Sequence, residues 1–399
     1  MGLARRRRGA RALRIAWFTE TWLPNRDGVV TSLKAFRQGL ERLGHEVYIY
    51  AAGSAEARAL NKDPRVTIKT GPAWTPYPEY RLALRPGPTR RELRGLGIDV
   101  IHSHGTAFMG LKAVRCSRFA GLPMMLTFHT RVEDATSYVT RNPAREAAMR
   151  RLIWSWHRWY FGQCDAVVTP TQTVKRDLER ETRRKFAHFY VIPTGVDVER
   201  FARGDGGDWR ARLNAQGSRL VVNVGRVAWE KNIQTVVEAA ALTANDALDV
   251  KFAIAGRGPA LEHFRKEVER RGLSERVKFL GFVPDDELPS LLRSANAFLM
   301  ASMFETQGIA LLEAMAAGLP VASADAGGPT DFVVDGKNGF LFDGNSPQSC
   351  ALATIRALEA HPAMREKARK TAARFTIESQ ARTLAAAYEE VAVAYARSR

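Results

Sequence analysis

The chain has 399 residues, 45% hydrophobic and 26% charged, which is more than one core usually holds and enough apolar material for two. Its formal net charge of +18 is lopsided: residues 1–200 hold 35 Lys/Arg against 18 Asp/Glu, whereas residues 201–399 hold 25 against 24. Three cysteines without short spacing (Cys116, Cys164, Cys350) argue against a disulfide framework or a zinc site, and no stretch approaches the ~20 apolar residues of a membrane-spanning helix.

The opening "MGLARRRRGARALRIAWFTE" has an apolar stretch, Ile15 to Phe18, too short for a signal peptide, so a reducing, cytoplasmic setting is expected. "LRIAWFTE" reads as a buried strand, "PNRDGVVTS" as the loop after it, and "TSLKAFRQGLERLG" as a helix. The rhythm returns at "HEVYIYAAG", "DVIHSHG", "PMMLTFHT", "DAVVTPTQ" and "HFYVIPTGVD", short apolar runs whose loops start at their C-terminal ends. Residues 202–218 gather glycine and charge, which predicts a linker. The alternation then resumes with "RLVVNVGRV", "DVKFAIAGRGP", "RVKFLGFVP", "NAFLMAS", "PVASADAGG" and "GFLFDG", with helices between them.

Strands alternating with helices predict parallel sheets covered on both faces, here as an α/β protein of two tandem doubly wound, Rossmann-like domains. The expected division is 1–201, a linker at 202–218, 219–375, and a C-terminal helix at 376–399 packing back on the first domain. Such sheets bind ligands beyond the carboxyl ends of their strands, so function is expected in loops facing an interdomain cleft.

Three such loops carry chemistry. "NVGRVAWEKN" places Arg226 and Lys231 after a strand, with Gly225 leaving room for a ligand near the backbone; two fixed cations suit a diphosphate, although solvated loop charges would look the same. "SMFETQGIALLEAMAAGLPVAS" sets Glu305 and Glu313 eight positions apart around a helix start, either as a cap and an internal salt bridge or as receivers of ligand hydroxyls. Gly28 lies where a phosphate or sugar can approach the next helix. His102, His104 and His129 fall at strand ends, but no carboxylate cluster completes a metal site, and "AGRGP" matches no full phosphate motif.

Taken in order, "DVIHSHG", "VIPTGVD", "VGRVAWEKN", "IAGRGP", "GFVP" and the two-glutamate stretch resemble the retaining nucleotide-sugar glycosyltransferases of the GT-B fold, family four. The resemblance implies that Arg226 and Lys231 hold the donor diphosphate, that Glu313 receives the ribose hydroxyls, and that Glu305 with Thr306, Gln307 and Gly308 orients the transferred sugar. It also implies a positioning role for His129, a phosphate-closing loop at Gly28, a nucleobase contact at Val283, and no metal or other cofactor. No carboxylate can be placed beneath the anomeric carbon, so same-face attack is expected, with the departing phosphate taking the acceptor's proton.

Residues 141–161, "RNPAREAAMRRLIWSWHRWYF", interleave arginines with Trp and Tyr, the composition of a surface that rests on an anionic bilayer or of a helix with a solvated basic edge. Arg145, Arg150, Arg151, Trp154, Arg158 and Trp159 are the expected membrane and acceptor residues, and "WTPYPEYRLALRP" has similar character. "ETQG" and "FHTRVEDATSYV" further resemble the diacylglycerol glucosyltransferases of the family, which implies UDP-glucose as donor, a membrane lipid as acceptor, and peripheral attachment at the inner face of the cell membrane. A GDP-mannose-dependent mannosyltransferase acting on a phosphatidylinositol-type lipid, or a transferase with a soluble or polysaccharide acceptor, is the alternative. No nucleic-acid module is evident.

Overall fold

The twelve apolar runs expected to be strands are strands in the computed structural model of the chain, which describes residues 11–74, 77–84, 87–130, 142–183, 186, 188–203, 207–243 and 249–398. In the first half these are β1 (Arg14–Thr19), β2 (Glu46–Gly53), β6 (Val100–Ser103), β7 (Met124–Thr127), β8 (Ala166–Thr169) and β9 (Phe189–Val191). To them are added β3 (Val66–Thr70) and a small hairpin, β4 (Ala73–Trp74) with β5 (Tyr77–Arg81). The second half contributes β10 (Arg219–Val224), β11 (Val250–Ala255), β12 (Val277–Gly281), β13 (Ala297–Met300), β14 (Val321–Ala324) and β15 (Gly339–Phe342).

Among the described residues the first sheet runs β3-β2-β1-β6-β7-β8-β9 and the second β12-β11-β10-β13-β14-β15, all pairs parallel. Strand order therefore reverses between β1 and β6 in one domain and between β10 and β13 in the other, and a crevice opens at each reversal. The central strands are apolar throughout because helices cover both faces: Ile15 and Trp17 pack to one side of β1, Ala16 and Phe18 to the other.

Two segments differ from, or add to, the expected plan. Part of the expected linker is built into the second domain: helix Trp209–Arg212 and the turn after it bury Trp209, Leu213 and Ala215 in that domain's core, with the Arg212 guanidinium 3.9 Å over the Trp209 ring. The last helix, Ile377–Arg397, crosses to the first domain and buries Leu384, Tyr388 and Val391 against β1 and β2 residues. Apolar side chains so buried contribute roughly 1.5–3 kcal/mol each. Gly39 lets this helix close in, since a Cβ there would sit 2.4 Å from that of Ala381. Trp17 Nε1 donates to the Tyr388 hydroxyl at 3.0 Å. β1 and this last helix thus belong to the same domain.

Candidate active site

Both strand-order reversals open into one cleft of about 2320 Å³. That is more than twice the ~300–1,000 Å³ typical of a pocket for one small ligand, so two substrates fit. The loop after β10 brings Gly225, Arg226 and Lys231 to it, and the loop after β13 brings Glu305, Thr306, Gln307 and Gly308. Gly28, Val283, Glu313 and His129 also line it. The donor residues expected from sequence are therefore gathered in one place.

Their bonding divides them. Lys231 Nζ donates to Glu305 Oε1 at 2.7 Å, and Arg226 pairs with Glu230. Each cation is paired with a carboxylate, and an ammonium such as that of Lys231 has three protons to donate. Gly308 adopts φ 81° ahead of helix Ile309–Ala316, and a side chain there would press on Met300 and Pro329 at about 3.1–3.2 Å. Glu313, one turn into that helix, lines the cleft; burial pushes its carboxyl up to about 7, against the attraction of Arg200 and with repulsion from Asp285. The nearby Arg200 does not offset the cost of burying that charge. Gly28 begins helix Gly28–Arg42, where an added Cβ would meet nothing within 4 Å. Space for a ligand is present there. The "AGRGP" glycines serve packing instead: Cβ atoms at Gly256 and Gly258 would strike the backbone oxygens of Gly225 and Val227.

The Thr306 and Gln307 side chains, besides lining the cleft, tie the two domains together. Thr306 Oγ1 donates to the His129 carbonyl at 2.8 Å, and the Thr306 carbonyl accepts from Thr171 Oγ1 at 2.8 Å. The buried Gln307 amide accepts from Thr194 N at 2.8 Å and donates to Thr194 O at 2.9 Å, so both ends of its side chain are occupied. On the opposite wall Lys34 reaches Asp285 at 3.3 Å and the Arg26 guanidinium lies 4.5 Å over Phe282.

The three histidines lie ring against ring, His102 and His104 buried and His129 half-buried. His102 uses Nε2 on Thr127 Oγ1 at 2.8 Å and Nδ1 on the Tyr388 hydroxyl at 2.5 Å; His104 Nδ1 lies 3.0 Å from His129 Nε2. Desolvation depresses all three, His129 to about 4, so the rings are neutral at physiological pH. Among the described residues no group of three His, Cys, Asp or Glu side chains could hold a metal.

Helix Pro143–Phe161, capped by Asn142, carries the expected basic and aromatic residues. Trp154 is the correction here: it is only 6% exposed and packs in the core edge-on to His157, so it is not a membrane residue. The exposed stripe is instead Leu152 (71%), Trp156 (36%) and Trp159 (43%), flanked by Arg145, Arg151 and Arg158. Arg150, Arg151 and Arg158 line a shallow groove with Trp154 and Glu181, while Met149, Ile153 and Trp156 turn into the main cleft. Trp156 joins the two surfaces, donating Nε1 to the Thr106 carbonyl at 3.0 Å. Arg141 and most of "FHTRVEDATSYV" lie outside the described residues, as do parts of "WTPYPEYRLALRP".

Sequence reading passed over Trp156 as a cleft residue, Arg200 beside Glu313, and Glu20, the residue after β1. Glu20 Oε1 accepts from Met109 N at 2.8 Å and Gly110 N at 3.1 Å, and its side chain lines the cleft. The available signal was an acidic residue directly after a buried strand.

Comparison with known proteins gives the family. Residues 26–200 match the model "Glycosyltransferase Family 4" and residues 207–375 "Glycosyl transferases group 1". The chain is 31% identical to an alpha-monoglucosyldiacylglycerol synthase of Acholeplasma laidlawii over 84% of this chain and 85% of that protein. The chain is a family-four glycosyltransferase. This glycosyltransferase is also 28% identical to the Streptococcus pneumoniae alpha-monoglucosyldiacylglycerol synthase over 89% of its own length and 80% of that protein. It is 28% identical to a GDP-mannose-dependent alpha-mannosyltransferase of Mycobacterium tuberculosis over 82% and 83% of the two chains. Anabaena HepE in complex with UDP shares the fold of the glycosyltransferase, with a TM-score of 0.74 at 18% identity over 95% of this chain and all of that one. The architecture is GT-B, two Rossmann-like domains across a cleft.

Proposed function

We propose that the enzyme transfers a hexose from a nucleotide-sugar, UDP-glucose in the favoured reading, to the hydroxyl of a diacylglycerol-type membrane lipid with retention of anomeric configuration and without a metal. The observation that carries the donor half is the convergence of Arg226 and Lys231 with Glu305 and Glu313 on one cleft wall at the second domain's strand-order reversal. Departure of the nucleoside diphosphate breaks the anomeric C–O bond and leaves negative charge on the phosphate and an oxocarbenium-like sugar. Arg226 and Lys231 lower that barrier by strengthening their hold as charge develops. Glu313 receives the ribose hydroxyls, Val283 faces the base, and Gly28 leaves the phosphates room beside helix Gly28–Arg42. Glu305 fixes Lys231 at 2.7 Å and, with Gly308, borders the sugar; His129 is a neutral positioning group. The acceptor oxygen attacks on the face the diphosphate leaves.

The lipid half rests on helix Pro143–Phe161. Its stripe Leu152, Trp156 and Trp159 places apolar surface outside, arginines beside it, and Trp156 at the cleft mouth, which suits an enzyme lying on an anionic bilayer and drawing a lipid inward. The excess of positive charge in the first half and the named diacylglycerol relatives support the same reading, with the protein at the inner face of the membrane. Among the described residues no helix is long and apolar enough to cross a membrane. The mannosyltransferase relative keeps a second reading in view, GDP-mannose with a phosphatidylinositol-type acceptor; a soluble or polysaccharide acceptor is the third. Radiolabelled UDP- and GDP-sugars offered with diacylglycerol, phosphatidylinositol and soluble alcohols test all three: labelled glucosyldiacylglycerol is expected, and label in a soluble product alone overturns the lipid reading.

A further inference from the structure

The loop that brings Glu305 to the cleft is not held by its own domain alone. Behind it runs the turn after β14, residues 327–331, in which Gly328 N donates to the Glu305 carbonyl at 2.7 Å. Two glycines let the backbones meet: a Cβ at Gly327 would lie 2.5 Å from the Glu305 carbonyl oxygen, and one at Gly328 2.1 Å from that of Thr306. Glu305 and Thr306 therefore rest on this turn, and whatever fixes the turn fixes them.

The far end of the turn is bound to the other domain. The Asp331 carboxylate accepts from Gln172 N at 2.5 Å, from Thr173 N at 3.2 Å and from Thr173 Oγ1 at 2.5 Å. These amides open helix Gln172–Thr182 of the first domain, so the acceptor that free first-turn amides and the helix dipole call for comes from the second domain. Thr171, the residue before that helix, donates Oγ1 to the Thr306 carbonyl at 2.8 Å. The start of one helix thus holds the Glu305–Gly308 loop twice, directly at Thr306 and from behind through Asp331. On the opposite flank of the cleft the domains meet through Arg26 and Lys34 at Asp285, side chains that are half exposed, and ion pairs of that kind add little.

We propose that Asp331 is a positioning residue for the transfer: as a cap supplied across the domain boundary, it holds the Glu305–Gly308 loop against the first domain in the register that sets the donor's anomeric carbon before the acceptor. The groups expected to bind the nucleotide directly, Arg226, Lys231, Val283 and Glu313, all belong to the second domain, whereas His129 belongs to the first. Nucleotide binding therefore needs one wall of the cleft, and transfer needs both walls in register. Asp331 acts on the second requirement alone. The inference rests on the reading that this loop borders the transferred sugar, and not on the acceptor's being a lipid.

Asp331→Ala removes the cap and leaves the nucleotide's own contacts in place. With donor and acceptor both saturating, kcat is expected to fall roughly 10- to 10²-fold, as for a misplacement of about 1 Å between the walls, with the affinity for UDP, read by titration calorimetry, changed less than about twofold. Hydrogen exchange followed by mass spectrometry should quicken in peptides covering Gln172–Thr173 and Glu305–Gly308, and not in those covering β1 or β10. Thr173→Ala removes part of the same contact, so its effect on kcat should be smaller, and largely absent once Asp331 is alanine. Asp331→Asn, which still accepts but carries no charge, should give an intermediate kcat, and it carries the test if the alanine variant does not fold. A kcat for Asp331→Ala within threefold of wild type, a parallel loss of UDP affinity, additive effects of the two alanine substitutions, or unchanged exchange at Gln172–Thr173 overturns the proposal. If the wild type takes GDP-mannose and not UDP-glucose, the favoured donor reading fails, and the same comparison made with GDP still decides the role of Asp331.

Discussion

Glutamine at 313 is expected to make the unliganded enzyme more stable and worse at holding its donor, and the two effects should share one pH window. Glu313 is raised from an ordinary carboxyl value of 4.5 to about 7 by burial, with Arg200 opposing. Below 4.5 the group is neutral folded or unfolded and costs nothing. Between 4.5 and about 7 only the unfolded chain is ionised, so folding takes up a proton and stability falls as pH rises; above 7 the loss is complete. At about 1.4 kcal/mol per pH unit, roughly 2 kcal/mol is lost between pH 5.5 and 8, and solvent in the open cleft trims this figure. A glutamine has no such term. Thermal unfolding of wild type and Glu313→Gln should therefore show the variant gaining about 4–8 °C more at pH 8 than at pH 5.5 if the loss falls on one ~200-residue domain. Nucleotide-sugar affinity, by contrast, should rise with pH through about 7 in the wild type, since the ionised carboxylate is the hydroxyl acceptor, and should be lower and flatter in the variant. Equal melting shifts at both pH values would refute the reasoning, as would an unchanged donor affinity.

Three further outcomes are expected. Arg226→Ala and Lys231→Ala should each lower kcat/KM by roughly 10²- to 10³-fold, and Lys231→Ala should also lower the melting temperature because it leaves Glu305 without its 2.7 Å partner; steady-state kinetics and calorimetry check both. Gln307→Ala strands the amide and carbonyl of buried Thr194 at a cost of about 1–3 kcal/mol, so scanning calorimetry should show an earlier transition, and an unchanged one would deny the tie. Reversing charge at Arg150, Arg151 and Arg158 should weaken binding to anionic vesicles by on the order of 10²-fold or more while nucleotide affinity persists; joint loss of both would mark the helix as structural.

Much of the fold was legible because parallel strands covered on both faces are near-continuous apolar runs, and each of the twelve stands out against its neighbours. β3 was missed for the corresponding reason: at the sheet edge its residues alternate between buried and half-buried, and "VTIKT" reads as ordinary loop. The donor wall was legible in part because Arg226 and Lys231 are close in sequence, as are Glu305 and Gly308. Trp154 and Trp156 show what composition omits. Helical spacing separates a buried face of Trp154, His157 and Phe161 from an outer face of Leu152, Trp156 and Trp159, and only the second can meet a membrane. The roles of Thr306 and Gln307 were beyond any local pattern, since their partners lie 113 to 177 residues away in the other domain. Glu20 is a single acidic residue at a strand end, and its meaning depends on the helix amides that fold onto it.

The central claim is glucosyl transfer to a lipid hydroxyl at an anionic surface. It is tested most directly by incubating the protein with radiolabelled UDP-glucose and vesicles of diacylglycerol with phosphatidylglycerol, then resolving the lipid product and its anomeric configuration by NMR. The account predicts α-glucosyldiacylglycerol, formed faster as the anionic fraction rises. Label that stays with the nucleotide, or that passes only to a water-soluble acceptor, would contradict it.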